Sequence, residues 1–330
     1  MKRVLVLSVV LAVALVVASC APAAPTPAPT AVTAVPTAGA RTFRLGMVNL
    51  SLCCPYFIGM DAAVKAEAAM YSNIELISTD AGGDIEKLTS DVEDVLARDP
   101  DGIIVSAAWI EAAPEAMDAI NAAGVPVVLV DRMLKGSEYT SWVGPDNYII
   151  GVQDGQYIVD RLEGKGVLLD IRGGPADNSI GLDRTKGMLS EVQKTDIQVI
   201  TAPDFGGWSS DGGYTIMTDM LAKYDKIDVV FCENDSMCLG AQKAITDAGR
   251  SDEMFLCGVD GEKEALVNIS EGTNYACTGL NSSDQIGRAS FHRLMEILAG
   301  GQLVDKNTIL PSPLITINNV CQYYNPKSVF

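Results

Sequence analysis

Residues 101–132, DGIIVSAAWIEAAPEAMDAINAAGVPVVLVDR, have the pattern of a strand, a helix and a second strand. Two apolar runs, DGIIVSAA and PVVLVDR, flank a segment from Ala112 to Ala123 whose apolar residues recur at helical spacing. A strand, a crossover helix and a parallel strand in this order form a right-handed βαβ unit. The sequence therefore predicts an α/β fold with a mostly parallel sheet.

The same alternation extends to both sides of this unit and then begins again. The first set also contains strands FRLGMVNL, IELIST and SWVG and helices Tyr56–Tyr71 and Ile85–Arg98. The second set reads helix Ile149–Leu162, strand GVLLDI, helix Leu182–Gln193, strand IQVITA, helix Gly212–Tyr224, strand DVVFCEN, helix Met237–Ala248 and strand MFLCGVD. Two comparable sets predict two lobes, each with a doubly wound parallel sheet.

The first residues have the order of a secretory signal. Lys2 and Arg3 precede an apolar run from Val4 to Val17, and small residues then lead to Cys20. This order resembles the lipobox of bacterial lipoproteins, which implies that residues 1–19 are a signal peptide and that Cys20 carries a diacylglycerol. The alternative is an uncleaved anchor helix with a chance cysteine. In both cases we expect the globular part outside the cytoplasm, in the periplasm or at the cell surface.

The next segment and the composition narrow the choice of partners and reactions. Residues 20–41 are rich in Pro, Ala and Thr, which predicts an extended tether. The net charge of −18 disfavours nucleic acid and anionic membranes, so we expect membrane contact through the lipid anchor only. His292 is the one histidine, which disfavours a Ser-His-Asp site, and the cysteine spacing disfavours zinc. We therefore expect no catalysis, metal or cofactor.

Polar side chains follow three of the predicted strands at the points where those strands end. Asp131 follows VPVVLV, Asn234 ends DVVFCEN, and Asp260 ends MFLCGVD. Ligand sites of open parallel sheets lie beyond the carboxyl ends of the strands, and clefts between lobes commonly hold small molecules. These residues therefore predict a binding site in a crevice between the two lobes.

Several motifs in order along residues 42–317 resemble the periplasmic ribose-type sugar-binding proteins of ATP-driven importers. The motifs are CCPYF (53–57), VPVVLVDR (125–132), GPDN (144–147), Arg184-x-x-Gly187, Trp208, ENDSMCLGA (233–241), CGVDG (257–261) and Asn281 before SSDQIG. The resemblance implies a type I periplasmic-binding-protein fold. Its N-terminal lobe would contain residues 42–145 plus 282–310, and its C-terminal lobe residues 146–281 plus 311–330. A three-segment hinge near Pro145, Asn281 and Leu310 would let the lobes close on a ligand.

The resemblance also implies polar contacts with a neutral monosaccharide or polyol. Asp131 would accept hydrogen bonds from ligand hydroxyls, and the forked guanidinium of Arg132 would donate hydrogen bonds to them. Arg184, Asn234 and Asp260 would supply a donor, an amide and an acceptor from the second lobe. Without the resemblance, each residue also has a structural interpretation. Asp131 and Arg132 fit a surface ion pair, Arg184 fits a charge at the start of a helix, and Asp260 fits a turn.

An amide and three aromatic residues complete the predicted ligand set. Asn281 would add an amide at the hinge, where the family commonly has Gln. Tyr56 and Phe57 from one lobe and Trp208 from the other would cover the apolar C–H face of the ligand. The alternative for Tyr56 and Phe57 is a role in the core.

Cys53 and Cys54 depart from the resemblance, because the family usually has polar residues here. In an oxidising compartment they could form a vicinal disulfide whose flat sulfur face covers the ligand. Two free thiols, or bonds to distant cysteines, are the alternatives, and both residues are counted as ligand-binding candidates. The connectivity of four further cysteines stays open: Cys232, Cys238, Cys257 and Cys277.

The sequence thus favours a monomeric solute receptor that delivers its ligand to the permease subunits of an ABC transporter. A sensor subunit that presents ligand to a membrane receptor is the alternative. A lactose-repressor-like regulator shares the fold, but the signal peptide and the lack of a helix-turn-helix segment argue against it. A hydrolase with Asp131 and Asp260 as paired carboxylates is disfavoured, because Arg132 and Arg184 should keep both ionised.

Overall fold

The computed structural model describes residues 41–106, 113–134, 138–175, 179–300 and 305–330. The predicted signal peptide, Cys20 and residues 20–40 of the predicted tether lie outside these residues. Within them, the chain forms two six-stranded sheets in two α/β lobes, which confirms the predicted fold class. No helix in these ranges is long and apolar enough to cross a membrane.

The strands and helices alternate along most of the chain. The strands are β1 (Phe43–Asn49), β2 (Ile74–Asp80), β3 (Gly102–Ser106), β4 (Val127–Val130), β5 (Ser141–Pro145), β6 (Lys165–Ile171), β7 (Asp196–Thr201), β8 (Val229–Cys232), β9 (Phe255–Asp260), β10 (Tyr275–Leu280), β11 (Asn307–Leu310) and β12 (Leu314–Thr316). The helices are α1 (Pro55–Ala68), α2 (Ile85–Leu96), α3 (Pro114–Ala123), α4 (Asn147–Arg161), α5 (Ser179–Val192), α6 (Ser210–Lys223), α7 (Asp235–Asp247), α8 (Lys263–Ser270) and α9 (Ser283–Leu298).

The N-terminal lobe has the strand order β11-β5-β4-β3-β1-β2, and its neighbouring strands run parallel. Helices cover both faces of the sheet. Ile103 and Val105 pack in a core with α2 and α3, whereas Ile104 packs in a core with α1 and α9. Because β3 is buried on both faces, its sequence is continuously apolar and does not alternate between apolar and polar residues.

The C-terminal lobe has the strand order β12-β10-β9-β8-β6-β7, in which β12 is antiparallel to β10. Its helices α4 and α5 approach closely through glycines. A Cβ atom at Gly151 would lie 2.0 Å from the carbonyl oxygen of Arg184, and one at Gly187 would lie 2.1 Å from that of Tyr148. Gly187 of the Arg184-x-x-Gly187 motif is therefore required for the packing that holds Arg184 in place.

The chain crosses between the lobes after β5, between β10 and α9, and between β11 and β12. The structure differs from the prediction at the start of α5 and at three elements that were not predicted, namely α8, β11 and β12. Helix α5 begins at Ser179, so Arg184 lies in its second turn and not at its start. Strands β11 and β12 were not predicted, because they are short and only partly buried and therefore lack a clear apolar pattern.

Candidate functional site

A cavity of about 370 Å³ lies between the lobes, beyond the carboxyl ends of the strands. The structure places all of the predicted ligand residues along it: Cys53, Cys54, Tyr56, Phe57, Asp131, Arg132, Arg184, Trp208, Asn234, Asp260 and Asn281. Their contact with a ligand stays a prediction. The lining also contains Ile180, Ser236 and Phe330, which the sequence analysis did not identify.

Asp131 follows β4 and is held by a tyrosine at the start of α1. The Tyr56 hydroxyl donates to Asp131 Oδ1 over 2.7 Å, and both side chains are buried. Burial raises the pKa of Tyr56 well above its usual value, so the hydroxyl stays protonated and remains a donor. A carboxylate has about four acceptor positions and Tyr56 uses one, which leaves capacity for ligand hydroxyls.

Arg184 is the centre of a buried polar network. Its Nε donates to Asn147 Oδ1 over 2.8 Å, and its Nη1 donates to the Glu233 carbonyl over 2.5 Å. Its Nη2 lies 2.9 Å from Asp260 Oδ1, and the side chain is 2% exposed. Three of the five guanidinium N–H groups thus bind protein atoms, so at most two remain for a ligand.

Asp260 is less acidic than its neighbour Arg184 suggests. Burial raises the pKa of Asp260 to about 7, although the Arg184 guanidinium favours the ionised form. The expectation that Arg184 keeps this carboxylate fully ionised is therefore wrong, because the cost of desolvation outweighs the ion pair. Asn281 Nδ2 also donates to Asp260 Oδ1, over 3.1 Å.

Two buried polar atoms of the lining have no hydrogen-bond partner among the described residues. They are the donor Arg132 Nε and the acceptor Asn281 Oδ1. Buried polar atoms of proteins are nearly always hydrogen-bonded to protein, water or ligand.

Trp208 is positioned by Asn234 and by a glycine. Asn234 Oδ1 accepts from the Met237 N–H at the start of α7 over 3.0 Å, and its Nδ2 donates to the Trp208 carbonyl over 3.2 Å. A Cβ atom at Gly173 would lie 2.4 Å from the indole ring, so the ring rests on bare backbone. Asn234 therefore fixes the Trp208 loop in addition to lining the cavity.

Three lining residues have left-handed backbone conformations. The φ angles are 63° at Asp131, 61° at Trp208 and 125° at Asp260. Such angles in residues other than glycine cost about 1–3 kcal/mol each and tend to cluster at functional sites. Three of the five non-glycine residues with positive φ in the described part of the chain therefore line the cavity.

The model of the periplasmic binding protein domain family matches residues 45–302. The chain belongs to this family. It is 29% identical over 276 residues to the ribose import binding protein of Bacillus subtilis, covering 84% of this chain and 88% of that protein. It is 30% identical over 264 residues to the xylitol-binding protein of Mycolicibacterium smegmatis, and the match covers 79% of this chain and 73% of that protein.

A solved structure with a related sequence has the same fold. It is an ABC transporter solute binding protein from Bacillus halodurans with bound myo-inositol. The TM-score is 0.78 at 25% identity, and the match covers 87% of this chain and 99% of that chain. The resemblance to ribose-type periplasmic binding proteins is therefore confirmed.

In this periplasmic binding protein, Cys53 and Cys54 are free thiols, so the structure does not contain the vicinal disulfide. Burial raises the pKa of Cys54 to about 12, which keeps that thiol neutral. Four other cysteines are also free thiols, all buried: Cys232, Cys238, Cys257 and Cys277. The described residues contain no group of three or more His, Cys, Asp or Glu side chains that could hold a metal ion.

A buried and a half-buried carboxyl group of the C-terminal lobe make the stability of this periplasmic binding protein dependent on pH. Burial raises the pKa of Asp170 to about 8, with a further rise from the Glu233 carboxylate, and raises the pKa of Glu262 to about 7. Unfolded carboxyl groups titrate near pH 4, so between about pH 4 and pH 8 the folded protein binds more protons. The contribution of these carboxyl groups to the free energy of unfolding is therefore fully present at low pH and is lost as the pH rises through this range.

We expect the Tm of the ligand-free protein to be at least about 5 °C higher at pH 5 than at pH 8. Asp170→Asn should reduce this difference, because the amide does not titrate. Asp118→Asn is the matched control, since it removes the same charge from an exposed site. Thermal unfolding of the three proteins at several pH values checks the prediction, and an equal pH dependence in all three would contradict it.

Proposed function

We propose that this protein captures a neutral monosaccharide or polyol in the interlobe cavity and delivers it to the permease of an ABC transporter. It acts outside the cytoplasm and catalyses no reaction. Closure of the lobes around the three crossing segments encloses the ligand, and the permease recognises the closed form.

The observation that carries this proposal is the mixture of side chains around one cavity. Carboxylates, guanidinium groups and amides from both lobes surround it, and Phe57 and Trp208 supply aromatic surface. Hydroxyl groups require both donors and acceptors, and the C–H face of a sugar packs on aromatic rings. Relatives named for ribose and xylitol import or binding support the same ligand class.

Calorimetry with a panel of D-ribose, xylitol, D-glucose and myo-inositol tests the proposal. With EDTA present, we expect at least one compound to bind with a Kd in the micromolar range, which corresponds to about −8 kcal/mol. A bound ligand at 100 times its Kd should also add about 2.7 kcal/mol to the free energy of unfolding. A requirement for metal, or chemical conversion of the ligand, would refute the proposal.

We also propose that the mature protein begins at a diacylated Cys20 and is held at the membrane by this anchor. The support is the order of charged, apolar and small residues before Cys20, which lies outside the described residues. Two acyl chains hold a soluble domain stably at a membrane surface. Mass spectrometry of the native protein should find this modified N-terminal cysteine. An unmodified chain that begins elsewhere would exclude the anchor.

A further inference from the structure

We propose that Phe330 is a wall of the ligand cavity and limits the size of the ligand that the cavity accepts. The inference rests on the proposed function, since it concerns the same cavity. Phe330 lies 274 residues after Tyr56 in the sequence, yet the two rings are in contact. Residues 325–330, the bridging segment, run from one lobe to the other.

The bridging segment starts on the C-terminal lobe. A 3₁₀ turn at Val320–Gln322 precedes it, and Val320 is buried in the core of that lobe. Lys263 at the start of α8 donates from Nζ to the Ser328 carbonyl over 2.9 Å. These contacts hold the segment against the C-terminal lobe up to Ser328.

The segment ends on the N-terminal lobe. The Phe330 ring packs edge to face against Tyr56, with centroids 5.2 Å apart and planes at 79°. A Cβ atom at Gly59 of α1 would lie 3.6 Å from Phe330 Cβ, so the segment lies directly on this helix. The bridging segment thus joins the lobes at a place separate from the three crossing segments, and it ends beside the tyrosine that holds Asp131.

Phe330 also separates two cavities. A second cavity of about 460 Å³ lies on the other side of the bridging segment, lined by residues that include Gly59, Lys263 and Arg288. Among the described residues, only Phe330 lines both this cavity and the ligand cavity. Loss of its ring would therefore open the ligand cavity toward the second one. The wall favours compact ligands, because a larger molecule would have to displace the ring.

The experiment compares Phe330→Ala and Phe330→Leu with the wild-type protein by calorimetry. The probes are the five-carbon compounds D-ribose and xylitol, the six-carbon compounds D-glucose and myo-inositol, and the disaccharide maltose. Val329→Ala is the matched control, since Val329 is 56% exposed and lines only the second cavity. Thermal unfolding shows whether each variant is folded. If Phe330→Ala does not fold, the comparison of Phe330→Leu with the wild type tests the proposal.

We expect Phe330→Ala to weaken the tightest-binding probe at least about tenfold, with a smaller loss or a gain for the larger probes. Phe330→Leu should be intermediate, and Val329→Ala should bind as the wild type does. Unchanged binding of all probes, or an equal loss for all sizes, would overturn the size limit while the proposed function stands. Failure of the wild-type protein to bind any probe would overturn both.

Discussion

Replacing Arg184 with methionine should lower the free energy of unfolding by about 3–5 kcal/mol and remove measurable ligand binding. The guanidinium is 2% exposed and is hydrogen-bonded to Asn147, Glu233 and Asp260. Methionine fills similar volume but leaves Asn147, the Glu233 carbonyl and Asp260 without the donor that they share, and Asp260, whose pKa is already about 7, must then take up a proton to stay buried. For a protein of this size the loss corresponds to a fall in Tm of about 10 °C. Chemical denaturation of the ligand-free protein measures it.

A second substitution separates the ion pair from the rest of the network. In Arg184→Met/Asp260→Asn a neutral amide replaces the carboxyl group that would have to be protonated to stay buried, so the double variant should recover part of the lost stability. Recovery should be incomplete, because Asn147 and Glu233 still lack their donor. Binding should not return, since both lining groups are changed. Arg98→Met, at an exposed site, is the control. A fall in stability no larger than that of Arg98→Met would show that the network is not stabilising.

The positions of Asp131, Asn234 and Asp260 were predictable because they depend on local sequence alone. Each follows an apolar run of strand length, and parallel strands bring their carboxyl ends to one edge of a sheet. The predicted strands and most helices match the structure for the same reason. What the two Asp residues contact was less predictable, because Tyr56 and Arg184 reach them from distant segments.

Phe330 could not be found from the sequence. Its segment has no apolar period, and its contact with Tyr56 depends on the path of the chain after β12. The raised pKa of Asp260 was missed for a similar reason. The sequence places Arg184 near the carboxylate, but only the structure gives the burial that outweighs the charge. The state of Cys53 and Cys54 was also left open, because adjacent cysteines fit both thiols and a disulfide.

Asp131→Ala should weaken binding of the tightest probe at least about thirtyfold, a loss of roughly 2–4 kcal/mol. The carboxylate is the acceptor on the N-terminal lobe, so its removal leaves ligand hydroxyls without a partner in the closed cavity. The structure adds a second consequence, because the buried Tyr56 hydroxyl loses the atom to which it donates. Alanine is also poorly suited to the φ of 63° at this position. We therefore expect a moderate loss of stability in the ligand-free protein as well.

Two further variants separate these effects. Asp131→Asn tolerates the left-handed backbone and keeps an oxygen for the Tyr56 hydroxyl, so its stability should stay within about 1 kcal/mol of the wild type. Its affinity should still fall, because the amide has one acceptor fewer and no charge. Tyr56→Phe removes only the hydroxyl that holds Asp131, and its effect on affinity should be smaller than that of either Asp131 variant. If Asp131→Asn binds as tightly as the wild type, or if Tyr56→Phe is the most damaging change, Asp131 acts by supporting Tyr56 and does not bind the ligand.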